Sequence, residues 1–184
     1  MTTLHQRTPA AAFVLSEANG QRSRQNYLVS RGKKLAAGEV AKIEEAVNLT
    51  TTGDTHSNTT LDGLAATTGL VVGDIYAVTG SGIPAGTYFT YGGSSAGTLS
   101  AAATTTLNDT AIVLTRPLGA GPWLASGDVP AGVSLYDADA TAGAAWASFI
   151  ARDAEVNIKN LTFPDDADDA VIADLAGIGI ICRD

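Results

Sequence analysis

The chain of 184 residues and 18.7 kDa is 45% hydrophobic and 16% charged with 20 glycines, which suits one globular domain or two small ones and excludes a disordered tail. Its net charge of −8 and pI near 4.6 argue against nucleic acid as the main partner, because phosphate binding needs a dense positive footprint over the folded body. No apolar run approaches a membrane span, and the single cysteine, Cys182, excludes an internal disulfide.

The apolar content is weighted toward small side chains: 32 residues are alanine, while Leu, Ile, Val and Phe together number 42. A core with so few large side chains is thin for this length, so oligomerisation is the expected reinforcement. Charge is divided unevenly, with a net +5 over residues 1–42 and −13 over residues 43–184. The first thirteen residues lack the apolar centre and cleavage site of a secretion signal, which predicts synthesis in a cytoplasm and a soluble product.

Residues 1–27 are polar, with Asn19, Gly20, Arg22, Arg24 and Asn26 close together and little periodicity. They predict an extended N-terminal arm that works by contact and is not packed. Residues 28–47 alternate weakly around a turn at Arg31 and Gly32, which predicts a short β-hairpin with a strand over 39–43.

Residues 48–115 differ in kind: they hold 17 threonines, no Lys or Arg, and glycines recurring every 6 to 12 residues. Threonine favours pleated surfaces and glycine marks turns, so the segment predicts a small β-sandwich or barrel with strands over 59–64, 75–78, 87–91, 97–100 and 110–114. The run 80–86, with three glycines and Pro84, predicts a firm turn.

After Arg116 and Pro117 the pattern predicts strands over 132–136, 147–152 and 158–163. One short helix follows over 168–176, with Val171, Ile172 and Leu175 on one face, then a final strand over 178–182 beyond the breakers Gly177 and Gly179. The fold class read from these elements is mainly β with one short helix.

No catalytic or metal-ligating constellation emerges, and no cofactor is implied. His5 and His56 have neither cysteines nor paired carboxylates at ligand spacing, and Cys182 lies in an apolar terminal strand that suits a buried structural thiol. The acidic run 165–169 precedes the helix, where carboxylates cap free N–H groups and complement the helix dipole. Four Asn-x-Thr sequences, at Asn48, Asn58, Asn108 and Asn160, follow from threonine abundance. Tyr76, Tyr88, Phe89 and Tyr91 are predicted to serve a β-core; the alternative is an exposed aromatic platform for sugars.

The string Phe13-Val14-Leu15-Ser16-Glu17-Ala18-Asn19-Gly20-Gln21-Arg22-Ser23-Arg24 resembles the opening motif of the bacteriophage lambda-type head decoration proteins. The resemblance continues through Leu35-Ala36-Ala37-Gly38-Glu39-Val40-Ala41-Lys42-Ile43, Tyr136-Asp137-Ala138-Asp139-Ala140-Thr141, Ala151-Arg152-Asp153-Ala154-Glu155-Val156-Asn157 and Leu175-Ala176-Gly177-Ile178-Gly179-Ile180-Ile181-Cys182-Arg183. These segments arrive in the family's order and cover about half the chain. The threonine- and glycine-rich block falls where the family has a short connection, so it reads as an inserted β-module.

The resemblance implies a virion structural protein without enzymatic activity: a decoration, or cement, protein that binds the outside of an expanded phage head as a trimer and stabilises it. It also implies an arm at 1–27, a decoration-protein core at 28–47 and 116–184, and an insert at 48–115. The expected partners are the major capsid protein and two further copies of the chain, with no nucleic acid and no membrane. The capsid-binding residues expected are Phe13 and Leu15 as apolar anchors, Arg22 and Arg24 as polar anchors, and Glu17 and Asn19 beside them. The competing functions are a surface-adhesion module, with host-surface or glycan contact through 48–115, and a tail-associated structural protein.

Overall fold

In the computed structural model the described residues are 11–18, 22–124, 128–163 and 168–184. They fall in two compact units: Glu45–Leu118, and the described residues up to Glu44 together with those from Gly119 onward. The fold is mainly β with one short helix among the described residues.

The first unit opens with β1 (Val14–Glu17), β2 (Arg24–Val29), β3 (Lys34–Leu35) and β4 (Val40–Glu44). The second holds β5 (Val47–Thr55), β6 (Thr60–Asp62), β7 (Ile75–Gly80), β8 (Tyr88–Gly93), β9 (Ala96–Leu99) and β10 (Leu107–Arg116). The chain then completes the first unit with β11 (Gly119–Pro122), β12 (Pro130–Ser134), β13 (Ala138–Asp139), β14 (Ala145–Ile150), β15 (Ala154–Asn157), α1 (Asp168–Gly177) and β16 (Ile180–Arg183).

Within the first unit, β11-β2-β14-β12-β4 closes into a barrel, β1-β15-β16 forms a separate sheet, and β3 pairs with β13. Five strands leave a narrow interior, which explains the alanine content: Ala41, Ala120, Ala131 and Ala147 share the barrel core with Val29 and Phe149. Backbones approach closely at the bulge in β12, where a Cβ on Gly132 would stand 2.0 Å from the Ile150 carbonyl oxygen at a φ of +120°. A second cluster gathers Phe13, Trp123, Leu135, Ile150, Val156 and Ile180 under the helix, which contributes Val171 and Leu175 from adjacent turns of one face. Ile172 is only half-buried.

The second unit is a closed barrel in the order β10-β5-β6-β9-β8-β7. Alternation fixes its inside: Ile112, Leu114 and Arg116 of β10, Tyr76 and Val78 of β7, and Phe89 and Tyr91 of β8 all point inward. Three of the four aromatic residues therefore build the core, with Tyr76 and Phe89 fully buried and Tyr91 buried, whereas Tyr88 is corrected to a half-buried residue on the opposite face of β8. Gly97 lets β9 lie against β8, since a Cβ there would meet the Thr90 carbonyl oxygen at 2.1 Å.

Several expectations are corrected. Residues 14–17 and 24–27 are not a loose arm, because β1 is laddered to β15 and β2 sits between β11 and β14 in the first barrel. The hairpin expected over 28–47 does not form: β2 and β4 both belong to the barrel but are joined through β11, and the short β3 pairs with β13. The strand expected over 158–163 is replaced by a 3-10 turn at Ile158–Asn160, capped by the Asn157 side chain accepting from Lys159 N, with only a single bridge between Thr162 and Glu39. Asp165, Asp166 and Ala167 of the acidic run, like His5, lie outside the described residues. Cys182 is half-buried, packs on the edge of the first core, and has its thiol pKa raised by burial.

A candidate contact face on the three-stranded sheet

The sheet β1-β15-β16 has one face on the core and one turned outward, and its register says which residues share each face. Glu17, Ala154 and Ile180 lie abreast, as do Val14, Val156 and Cys182, and the Ala154, Val156 and Ile180 side chains of these rows are buried. The row between them is Ser16, Glu155 and Ile181, which the pleat turns to the opposite face. Ile181 is 46% exposed. The ladder slips between Val14 and Ser16, so Leu15 is left without a register partner and stands 52% exposed at the edge of the same sheet.

Charges around this face are held by short contacts. Arg24 donates from Nε to one Glu17 carboxylate oxygen at 2.8 Å and from a terminal nitrogen to the other at 2.5 Å. That paired geometry lowers the Glu17 pKa and raises that of Arg24. Arg183 donates to Glu155 at 2.8 Å, Ser16 Oγ donates to the same carboxylate at 3.3 Å, and these bonds lower the Glu155 pKa. Arg22 is largely exposed and reaches Asp153 at 3.5 Å. Between these groups runs a shallow open recess of about 500 Å³, lined by Ser16, Glu17, Ala18, Asp153, Glu155 and Ile181.

Local sequence explains how the chain returns from β1 to β2. Ser23 is fully buried; its Oγ donates to the Asp153 carbonyl at 2.8 Å and accepts from Ala18 N at 2.9 Å. Ser23 thus ties the connection to the loop before β15, and the Glu17–Arg24 pair ties its two ends to each other. The motif Ser16-Glu17-Ala18 with Arg22-Ser23-Arg24 is thus first a device for fixing β1.

Of the six contact residues expected from sequence, Leu15, Glu17, Arg22 and Arg24 converge at this face. Asn19 lies outside the described residues. Phe13 is corrected from an apolar anchor to a core residue: it is 1% exposed, and its carbonyl accepts from Asn157 N at 2.7 Å. Sequence reasoning missed Ser16, Asp153, Glu155, Ile181 and Arg183, which reach the face through pairings of distant strands. The arrangement offers apolar surface edged by fixed charges. Among the described residues no group of three or more His, Cys, Asp or Glu is placed to hold a metal ion.

Comparison with known proteins gives one family. The model described as Bacteriophage lambda head decoration protein D matches residues 3–180 of the 184, both units included. Neither a curated protein nor a solved structure matches.

Proposed function

Because the chain belongs to the bacteriophage lambda head decoration protein D family, whose role is structural and is exercised at the phage capsid, we propose that it binds the outer surface of an expanded head as a homotrimer and cements neighbouring capsid subunits. The observation that supports the reading most is the outward face of β1, β15 and β16. There the family-like motif holds Leu15 and Ile181 exposed between fixed Arg and Glu side chains.

The contact works by apolar burial with charge setting register. Burying Leu15 and Ile181 contributes roughly 1.5–3 kcal/mol for each side chain, and Arg22 is free to move from Asp153 to a capsid carboxylate. β1 lies at the edge of its sheet, so an extended capsid segment can add to it through main-chain hydrogen bonds. Three such faces on one trimer raise the effective concentration of each after the first has bound, so individually weak contacts hold the particle. The major capsid protein is the partner, and the outer surface of the virion is the place of action.

We take Glu45–Leu118 as a module inserted into the decoration fold between Glu44 and Gly119. Glycan contact through that module would have to use its polar loops and the half-buried Tyr88, since Tyr76, Phe89 and Tyr91 belong to the core.

The test is binding to expanded heads that lack the protein. The pair of substitutions Leu15→Asp and Ile181→Asp, both at exposed positions, should abolish co-sedimentation with heads while leaving the circular dichroism spectrum unchanged. Binding as tight as that of the parent protein would overturn the proposed face.

A further inference from the structure

The second unit leaves one side of its barrel without charge. Residues 63–108 contain a single charged side chain, Asp74, and it is buried in its pair with Arg116. The outward surface of β7, β8 and β9 is therefore neutral, in a chain whose net charge is −8.

The strand register builds a shallow site on this side. Ala77 of β7 stands directly opposite Tyr88 of β8 on one flank and Thr115 of β10 on the other, and Ile75 and Thr79 share its face of the strand. The residues alternating with these, Tyr76, Val78, Phe89 and Leu114, are buried, so the pleat turns all five outward. Ala77, Thr79 and Thr115 are exposed, while Ile75 and Tyr88 are half-buried. Neighbouring strands lie about 4.8 Å apart, which sets Tyr88 and Thr115 about 10 Å from each other with only the methyl group of Ala77 between them. A side chain that small leaves a dip with room for a sugar ring, flanked by one aromatic ring and two threonine hydroxyls.

The chemistry of the dip selects its ligand. Nucleic acid and acidic glycans call for cations, and residues 45–118 offer only Arg116, buried in its pair, against five carboxylates. A protein partner is anchored by large exposed side chains, and among the described residues none of the exposed large hydrophobics lies on this face. A neutral sugar needs what is there: a flat ring for its C–H groups, hydroxyls to exchange hydrogen bonds with, and no charge to strip of water.

We propose that the dip over Ala77 is a binding site for uncharged glycan, in which Tyr88 stacks on the sugar while Thr79 and Thr115 hydrogen-bond its hydroxyls. The site supplies the residues and the ligand class for glycan contact by the inserted module, and it rests on that module reading, not on capsid binding. Repeated over a decorated head, sites that are weak singly hold a polysaccharide surface together.

The test is affinity electrophoresis of the full chain in native gels containing a neutral glucan, mannan or galactan, with alginate as the acidic control. At least one neutral polymer should retard the parent protein, and alginate should not. Tyr88→Ala should weaken that retardation at least about 10-fold, whereas Tyr88→Phe, which keeps the ring, should preserve it. Ala77→Gln, at an exposed position, fills the dip without entering the core and should weaken retardation as much, which separates loss of the site from loss of the fold. Retardation by no polymer, by alginate alone, or undiminished in Ala77→Gln overturns the site.

Binding to expanded heads tells this failure from that of the decoration reading. Ala77→Gln should bind heads as the parent does; if it loses heads as well, the face belongs to the capsid contact and the glycan site is overturned. A parent that binds neutral polymer and no heads overturns decoration and leaves the glycan site standing.

Discussion

Val47 and Arg116 are antiparallel partners, so the strand that opens the second barrel lies beside the strand that closes it. The first unit has the matching arrangement, with Glu44 opposite Gly119 on β4 and β11. A module whose ends meet in this way closes only a short gap in its host, and loop-closure entropy then changes little with what fills the gap. Replacing residues 45–118 by a short Gly-Ser turn should leave the first unit folded, with a single cooperative thermal transition. The isolated segment 45–118 should likewise show a strand-rich circular dichroism spectrum. Loss of cooperative unfolding in both pieces would show that neither core stands alone.

The second barrel carries one cation, Arg116, at the end of the inward row Ile112, Leu114, Arg116. It pairs with buried Asp74, donates to the Glu45 carbonyl at 3.1 Å, and lies 5.3 Å from the centre of the Tyr76 ring. Removing one member of such a pair strands a charge away from water. Arg116→Met should therefore lower stability by about 3–5 kcal/mol, and the double change with Asp74→Leu should recover much of that loss. Urea unfolding of the four proteins in the cycle measures both effects.

How much of this was legible in sequence depended on where the partners lay along the chain. The strands of β7, β8 and β10 could be read because large apolar or aromatic residues alternate in each. β5 could not, since the inward positions Thr51, Gly53 and Thr55 are small or polar and gave no apolar period. β11, with the sequence Gly-Ala-Gly-Pro, has no apolar alternation to mark it as a strand, yet the narrow barrel needs small residues there: a Cβ on Gly121 would stand 2.5 Å from Glu44 Oε1. At the contact face, Leu15, Glu17 and Arg24 were visible through the motif. Glu155 and Ile181 come abreast only through the parallel pairing of β15 with β16, which crosses the helix and leaves no local signature.

Acid should loosen the latch around β1 in a defined direction. Hydrogen bonds from Arg24 and Arg183 lower the Glu17 and Glu155 pKa values below the ordinary 4.5, so their contribution is present above pH 4.5 and is lost as pH falls through the lowered values. Desolvation raises the Glu39 pKa, so that group acts in the opposite sense, favouring the fold at low pH and less so as pH rises through its raised value. A Glu17→Gln, Glu155→Gln variant should show a flatter fall in melting temperature between pH 5 and about pH 3 than the parent. An unchanged acid limb would mean that the two ion pairs do not stabilise the sheet.

Gly132 offers a backbone test of the first barrel. Its φ of +120° and the 2.0 Å approach of the Ile150 carbonyl leave no room for a side chain. Gly132→Ala should cost at least about 2 kcal/mol from strain and overpacking together. The change should appear in denaturant midpoints of the first unit, and a neutral substitution would show that β12 and β14 can separate without loss.

Saturation binding to expanded heads tests capsid decoration itself. Purified protein is titrated onto expanded heads that lack it, and bound copies are counted after sedimentation at several salt concentrations. A decoration protein reaches a plateau at a fixed number of copies per head, a multiple of three, with half-saturation moving to higher protein concentration as salt screens the Arg and Glu contacts. Binding that never saturates, or no binding to expanded heads at any salt concentration, would contradict it.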